Sequence, residues 1–141
     1  MTAVLVDSNV LLDVMTQDPL WFDWSAATLE RIADRAPLVI NTIIYAEVSV
    51  RYTRIEDLED ALPKDLITRE AMPYEAAFLA GKVHLAYRRR GGMKQTTLPD
   101  LLIGAHAVIA GHRLLTRDAA RYRTYFPTLS LIAPPAFGVV G

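Results

Sequence analysis

The stretch Val4-Leu5-Val6-Asp7-Ser8-Asn9-Val10-Leu11-Leu12 decides how the rest of the chain is read. Three apolar residues suit a short buried strand, and the polar trio Asp7-Ser8-Asn9 ends it where a helix with Val10, Leu11 and Val14 on one side can begin. Asp7 therefore stands at the carboxyl end of a first strand, the edge at which open α/β sheets bind their ligands. Asp7, Ser8 or Asn9 can also serve simply as the N-cap of that helix, and an Asp-x-Asn by itself favours the plainer role. The other acids of the chain decide between the two.

Composition sets the frame around this stretch. A chain of 141 residues has the size of one domain with a real core, so a single domain over 1–141 is expected. Its 52% hydrophobic and 22% charged residues exclude a disordered chain, and the apolar runs are too short to cross a bilayer. No signal peptide and no membrane partner are expected, because Asp7 interrupts the first apolar stretch and no basic leader precedes it. The lack of cysteine rules out disulfides and thiolate ligands and fits a cytoplasmic location. A net charge of −1 predicts no strong global attraction to nucleic acid, which leaves that role to a local basic patch.

Along the chain, short apolar runs alternate with longer amphipathic ones, the mark of an α/β fold. After the first helix, Asp18 and Pro19 suit the cap and first position of a second helix through Trp21, Trp24, Ala27, Leu29, Ile32 and Ala33. Pro37 to Asn41 reads as the second strand, and Asn41 and Thr42 cap a helix to about Thr53. A short charged helix over Ile55 to Leu62 and a weak strand at Leu66 to Thr68 follow. Pro73 opens a long helix that ends in Arg88-Arg89-Arg90-Gly91-Gly92. The next helix, from about Pro99 to Ala110, is apolar nearly all round and should be central. Leu114 to Thr116, a short helix over Ala119 to Tyr125 and a last strand over Leu129 to Ile132 complete the outline.

Four acids fall at comparable places on this outline. Glu47 lies one to two turns into the helix after strand two, on a face with Ile43, Ile44, Val50 and Arg51. Asp100 opens the most apolar helix, and Asp118 follows the strand Leu114-Leu115-Thr116. Each has a structural explanation alone: a salt bridge to Arg51, a charge complementing a helix dipole, a cap. In a parallel sheet with right-handed crossovers, however, all four belong to one edge. Carboxylates gathered there repel one another unless cations neutralise them. Oxygen donors suit Mg²⁺ or Mn²⁺, and a pair of such ions is the usual apparatus of in-line phosphodiester hydrolysis.

The set Asp7-Ser8-Asn9, Glu47, Leu98-Pro99-Asp100 and Thr116-Arg117-Asp118 resembles the PIN domain in motif order and spacing, and the compact chain resembles a VapC-type toxin of a toxin–antitoxin pair. The resemblance covers essentially the whole chain. It implies a parallel sheet of about five strands flanked by helices and a Mg²⁺- or Mn²⁺-dependent endoribonuclease, restrained by a VapB-like antitoxin. It also implies that Asp7, Glu47, Asp100 and Asp118 hold the metal or the water it activates. Asn9 and Thr116 would support them by hydrogen bonds. The antitoxin would lie in a groove of the first two helices and the helix bearing Glu47. A homodimer is expected as well.

Several residues lie outside these motifs. Arg88, Arg89, Arg90 and Lys94 form a basic patch suited to RNA, or alternatively complement a helix C-terminus. Trp21, Phe22 and Trp24 cannot all face inward on one helix, so at least one is a candidate partner anchor. His84, His106 and His112 read as core or surface residues. The alternative to a nuclease is a catalytically inactive PIN-like module that binds RNA or protein. A phosphatase with an aspartyl nucleophile is disfavoured by Asn9, which stands where its second acid would be.

Overall fold

The computed structural model describes residues 2–89 and 96–135, except the side chain of Arg89. Arg90 and Lys94 of the basic patch lie outside the described residues. Five parallel strands form one sheet in the order β3-β2-β1-β4-β5. They are β1 (Val4–Val6), β2 (Leu38–Ile40), β3 (Ile67–Arg69), β4 (Arg113–Leu115) and β5 (Leu131–Ile132). β1 is the central strand, with Leu5 opposite Val39 on one side and Leu114 on the other. Strands covered on both faces are apolar without alternation, which is why Val4-Leu5-Val6 and Leu38-Val39-Ile40 are buried throughout. Each such side chain removed from water contributes roughly 1.5–3 kcal/mol.

Seven helices accompany the sheet among the described residues: α1 (Ser8–Met15), α2 (Phe22–Ala33), α3 (Thr42–Ser49), α4 (Ile55–Ala61), α5 (Tyr74–Arg89), α6 (Leu98–Ala110) and α7 (Ala119–Arg123). None is long and apolar enough to cross a membrane. Asn41 caps α3 as expected, its Oδ1 accepting the Ile44 N–H at 2.9 Å. α3 ends at Ser49, short of Thr53, and α2 begins at Phe22 instead of Pro19. The cause at α2 is local. The Asp18 carboxylate takes the N–H groups of Leu20 and Trp21, which closes a turn ahead of the helix.

α6 is the buried helix its sequence implies, with Leu101, Ile103, Ala105, His106 and Ala107 out of solvent. Gly111 ends it at φ 73°, a left-handed C-terminal position that glycine occupies without steric cost. Gly104 has a different role. A Cβ there would overlap the Phe126 ring and stand 3.2 Å from Tyr122 Cδ1, so the bare backbone lets both rings close on α6.

Candidate active site at the carboxyl edge of the sheet

Asp7 leaves β1 at its carboxyl end and is 2% exposed. It is the N-cap residue of α1, its Oδ1 accepting the Ser8 N–H at 2.8 Å. Its other oxygen faces away from α1. There Tyr122 Oη–H donates to Oδ2 at 2.8 Å and Thr116 Oγ1–H at 2.9 Å. Asp7 is thus a cap and also the centre of a hydrogen-bonded group. Burial raises its pKa from the ordinary carboxylate value; the three hydrogen bonds counter part of that rise, and the charge of Asp100 adds to it.

The supporting residues fall into place around it. Asn9 Nδ2–H reaches Thr116 Oγ1 at 3.4 Å, and Asn9 Oδ1 accepts the Arg117 N–H at 3.2 Å, which ties α1 to the turn after β4. Glu47 on α3 makes no bridge to Arg51 among the described ion pairs. Its Oε1 accepts instead from Ser8 Oγ–H at 2.8 Å. Burial raises the Glu47 pKa as well, the Ser8 bond lowers it, and the charges of Asp7 and Asp100 push it up.

Asp100 sits in a capping box, with Thr97 donating through its N–H and hydroxyl to Asp100 Oδ2. Asp118 occupies the N-cap position of α7 without a side-chain cap bond. Arg121 connects the two, its Nη1 at 3.3 Å from Asp100 Oδ1 and its Nη2 at 3.1 Å from Asp118 Oδ2. Burial opposes charge on this guanidinium, but Asp100 and Asp118 outweigh it and hold the group protonated.

Asp7, Glu47 and Asp100 thus lie within one another's fields, with Asp118 joined to Asp100 through Arg121. No three of these acids bring ligating atoms all within 4.8 Å of one another. Among the described residues that closeness is reached at Glu70, His106 and His112. The donor set at Asp7 is nevertheless the one Mg²⁺ or Mn²⁺ takes: carboxylate oxygens only, in a place where burial and like charge already disfavour the anion. The residues present fit such an ion.

Tyr122, Ser8, Thr97 and Arg121 were not among the expected site residues. Of the aromatic cluster, Trp21, Phe22 and Trp24 are all half-buried, none wholly inside and none fully exposed. Trp21 and Trp24 meet edge to face at 6.3 Å, and the Arg117 guanidinium lies 5.4 Å from the Trp21 ring centre. The exposed apolar side chain beside them is Leu20, 70% accessible. Arg88 is exposed on α5.

A family model described as "PIN domain" matches residues 4–127. No curated protein matches the chain. Among solved structures, VapBC2 from Rickettsia felis bound to a promoter DNA fragment aligns with TM-score 0.72 at 19% identity, covering 93% of this chain and 98% of that one. VapBC-1 from nontypeable Haemophilus influenzae aligns with TM-score 0.70 at 18% identity, over 93% and 97%. FitAcB from Neisseria gonorrhoeae aligns with TM-score 0.69 at 16% identity, over 92% and 96%. At these identities the likeness is one of fold.

Proposed function

The chain belongs to the PIN-domain family, and on that premise we propose that it is a metal-dependent endoribonuclease, the toxin of a VapBC-type toxin–antitoxin pair, acting as one unit over 1–141. The observation that carries this function is Asp7, a carboxylate 2% exposed at the end of the central strand. Hydroxyls and one N–H hold it, and among the described residues no ion pair is made to it.

In this function Asp7, Glu47, Asp100 and Asp118 hold Mg²⁺ or Mn²⁺. Such an ion, when bound, supplies Lewis acidity toward water and the scissile phosphate. The chain's own residues do the positioning. Tyr122 and Thr116 fix one oxygen of Asp7, Asn9 holds the turn that carries Thr116, Ser8 aims Glu47, and Thr97 fixes Asp100. Arg121 bridges two of the acids from a partly exposed side chain, so it can turn from them toward a phosphate oxygen once another cation neutralises them. The patch from Arg88 would add phosphate contacts that carry no sequence information.

The solved neighbours named VapBC support a small VapB-like antitoxin as partner. Its segment would lie over α1, α2 and α3, with Leu20 beside Trp21 and Trp24 as the anchor. The exposed rings of Tyr74 and Phe78 on α5 offer a homodimer an apolar surface. The function is tested by RNA cleavage with the full chain in Mn²⁺ and in EDTA, for wild type and Asp7→Asn. Cleavage is expected only for the wild type with metal. Equal cleavage by Asp7→Asn, or by the wild type in EDTA, ends the proposal.

A further inference from the structure

A second constellation lies outside the residues used so far. Glu70 directly follows β3, His106 lies in the middle of α6, and His112 stands between α6 and β4. Their side chains meet at one atom. His106 Nε2–H donates to Glu70 Oε1 at 2.8 Å, and His112 Nε2–H donates to the same oxygen at 2.7 Å. His106 is fully buried, His112 nearly so, and Glu70 about one-third exposed. Glu70 lines an open cavity of about 600 Å³ with Asn41, Thr42 and Tyr45.

We propose that Glu70, His106 and His112 form a site for one Zn²⁺-type cation, built from ligands different from the acids around Asp7. This site does not rest on the proposed nuclease function. Two imidazoles and a carboxylate are a donor set that suits zinc, with its preference for nitrogen, and not magnesium. Neighbouring ligands on a tetrahedral zinc at about 2.0–2.1 Å stand roughly 3.3 Å apart, so the carboxylate oxygen has to retreat about half an ångström from each ring nitrogen to admit the ion. One ligand atom from each residue already lies within 4.8 Å of the others. Glu70 borders the cavity beside Asn41 and His112 borders a second one, so two of the three ligands adjoin open space.

The tethered form has a specific proton arrangement that the ion must change. Asn41 Oδ1 accepts the Ile44 N–H, so its amide N–H faces His106 Nδ1 at 2.9 Å and leaves the ring proton on Nε2. For Nε2 of either ring to bind a cation, its proton moves to that ring's Nδ1, and at His106 it there needs an acceptor. Asn41 can accept it only by turning its amide away from the α3 cap. An aspartate at this position would serve both as the cap and as the acceptor.

The test is a Co²⁺ titration of the full chain in saturating Mg²⁺, followed by visible absorption, with Zn²⁺ as competitor. Wild type and Asp7→Asn are expected to bind one Co²⁺ with the bands of a tetrahedral site, displaced by Zn²⁺. Glu70→Gln and His112→Gln should each weaken binding by more than the roughly 100-fold that loss of an outer hydrogen bond can cost. Glu70→Gln, on a partly exposed side chain, keeps the test open should His112→Gln not fold. Asn41→Asp should tighten binding by about 10-fold. A wild type without tetrahedral bands, or bands that survive Glu70→Gln, overturns the site. Binding by Asn41→Asp no tighter than wild type overturns ligation through His106.

Discussion

Asp7, which caps α1, and Asp13, which lies within it, are both 2% exposed and are held in opposite ways. Arg117 grips Asp13 with Nε and Nη2, each at 2.9 Å, and Ser25 Oγ–H adds a third bond at 2.8 Å. Asp7 has only hydroxyls and a backbone N–H. The turn after β4 makes this division with consecutive residues, sending the Thr116 hydroxyl to one acid and the Arg117 guanidinium to the other. A buried acid with its own guanidinium is a structural tie. One given only neutral donors keeps its charge available for a cation from solution.

The comparison is tested most strongly by RNA cleavage. Asp7→Asn should lower it by more than roughly 100-fold, beyond the range seen on removing an outer hydrogen bond at a metal. Asp13→Asn should leave cleavage per folded molecule within a few-fold of wild type. Equal losses would erase the distinction. Stability in EDTA should order the two the other way: Arg117→Ala leaves Asp13 buried without its cation and should cost roughly 3–5 kcal/mol in urea denaturation. Asp7→Asn should be as stable as wild type or more so.

Metal linkage is the next largest effect. Mn²⁺ at 100 times its dissociation constant should add about 2.7 kcal/mol to the wild type and little to Asp7→Asn, read as a shift in Tm. Tyr122→Phe removes one of two hydroxyls on Asp7 Oδ2 and should cost about 1 kcal/mol, with weaker Mn²⁺ binding. Fully retained Mn²⁺ affinity would reduce Tyr122 to a packing ring. The smallest effect is in pH dependence without metal. The folded pKa of Asp7 is raised, so the folded state holds more protons than the unfolded one and stability falls as pH rises from the ordinary carboxylate value through the raised one. Glu70 has the opposite sign: burial pushes its pKa up, but the bonds from His112 and His106 outweigh that and lower it. Its stabilisation is present above the ordinary value and fades as pH falls through the lowered one. Melting curves against pH for Asp7→Asn and Glu70→Gln should lose these opposite slopes one at a time.

The order of strands and helices was legible because apolar runs of three and helical spacing survive in any context. So were Asp7, Glu47 and Asp100, which the topology brings to one edge. What remained illegible depends on pairs far apart in sequence. Nothing in Ala119-Ala120-Arg121-Tyr122-Arg123 says that Tyr122 donates to Asp7 or that Arg121 joins Asp100 to Asp118. His106 reads from sequence as a core or surface residue and is fully buried, but its link to Glu70 crosses from α6 to the end of a weak edge strand. Which of Trp21, Phe22 and Trp24 stays partly open could not be told, because a neighbour such as Arg117, beside the Trp21 ring, comes from the other end of the chain.

The bare flank at Gly104 carries a genetic consequence. A methyl group there overlaps the Phe126 ring and crowds Tyr122, whose hydroxyl steadies Asp7, so the strain falls beside the site although no charged atom has been altered. Overpacking of this kind costs about 1–3 kcal/mol, a loss a cool cell tolerates and a warm one does not. An allele encoding Gly104→Ala is therefore expected to be conditional, its product folded when cool and unfolded at a temperature the wild type withstands, as melting curves of the two would show.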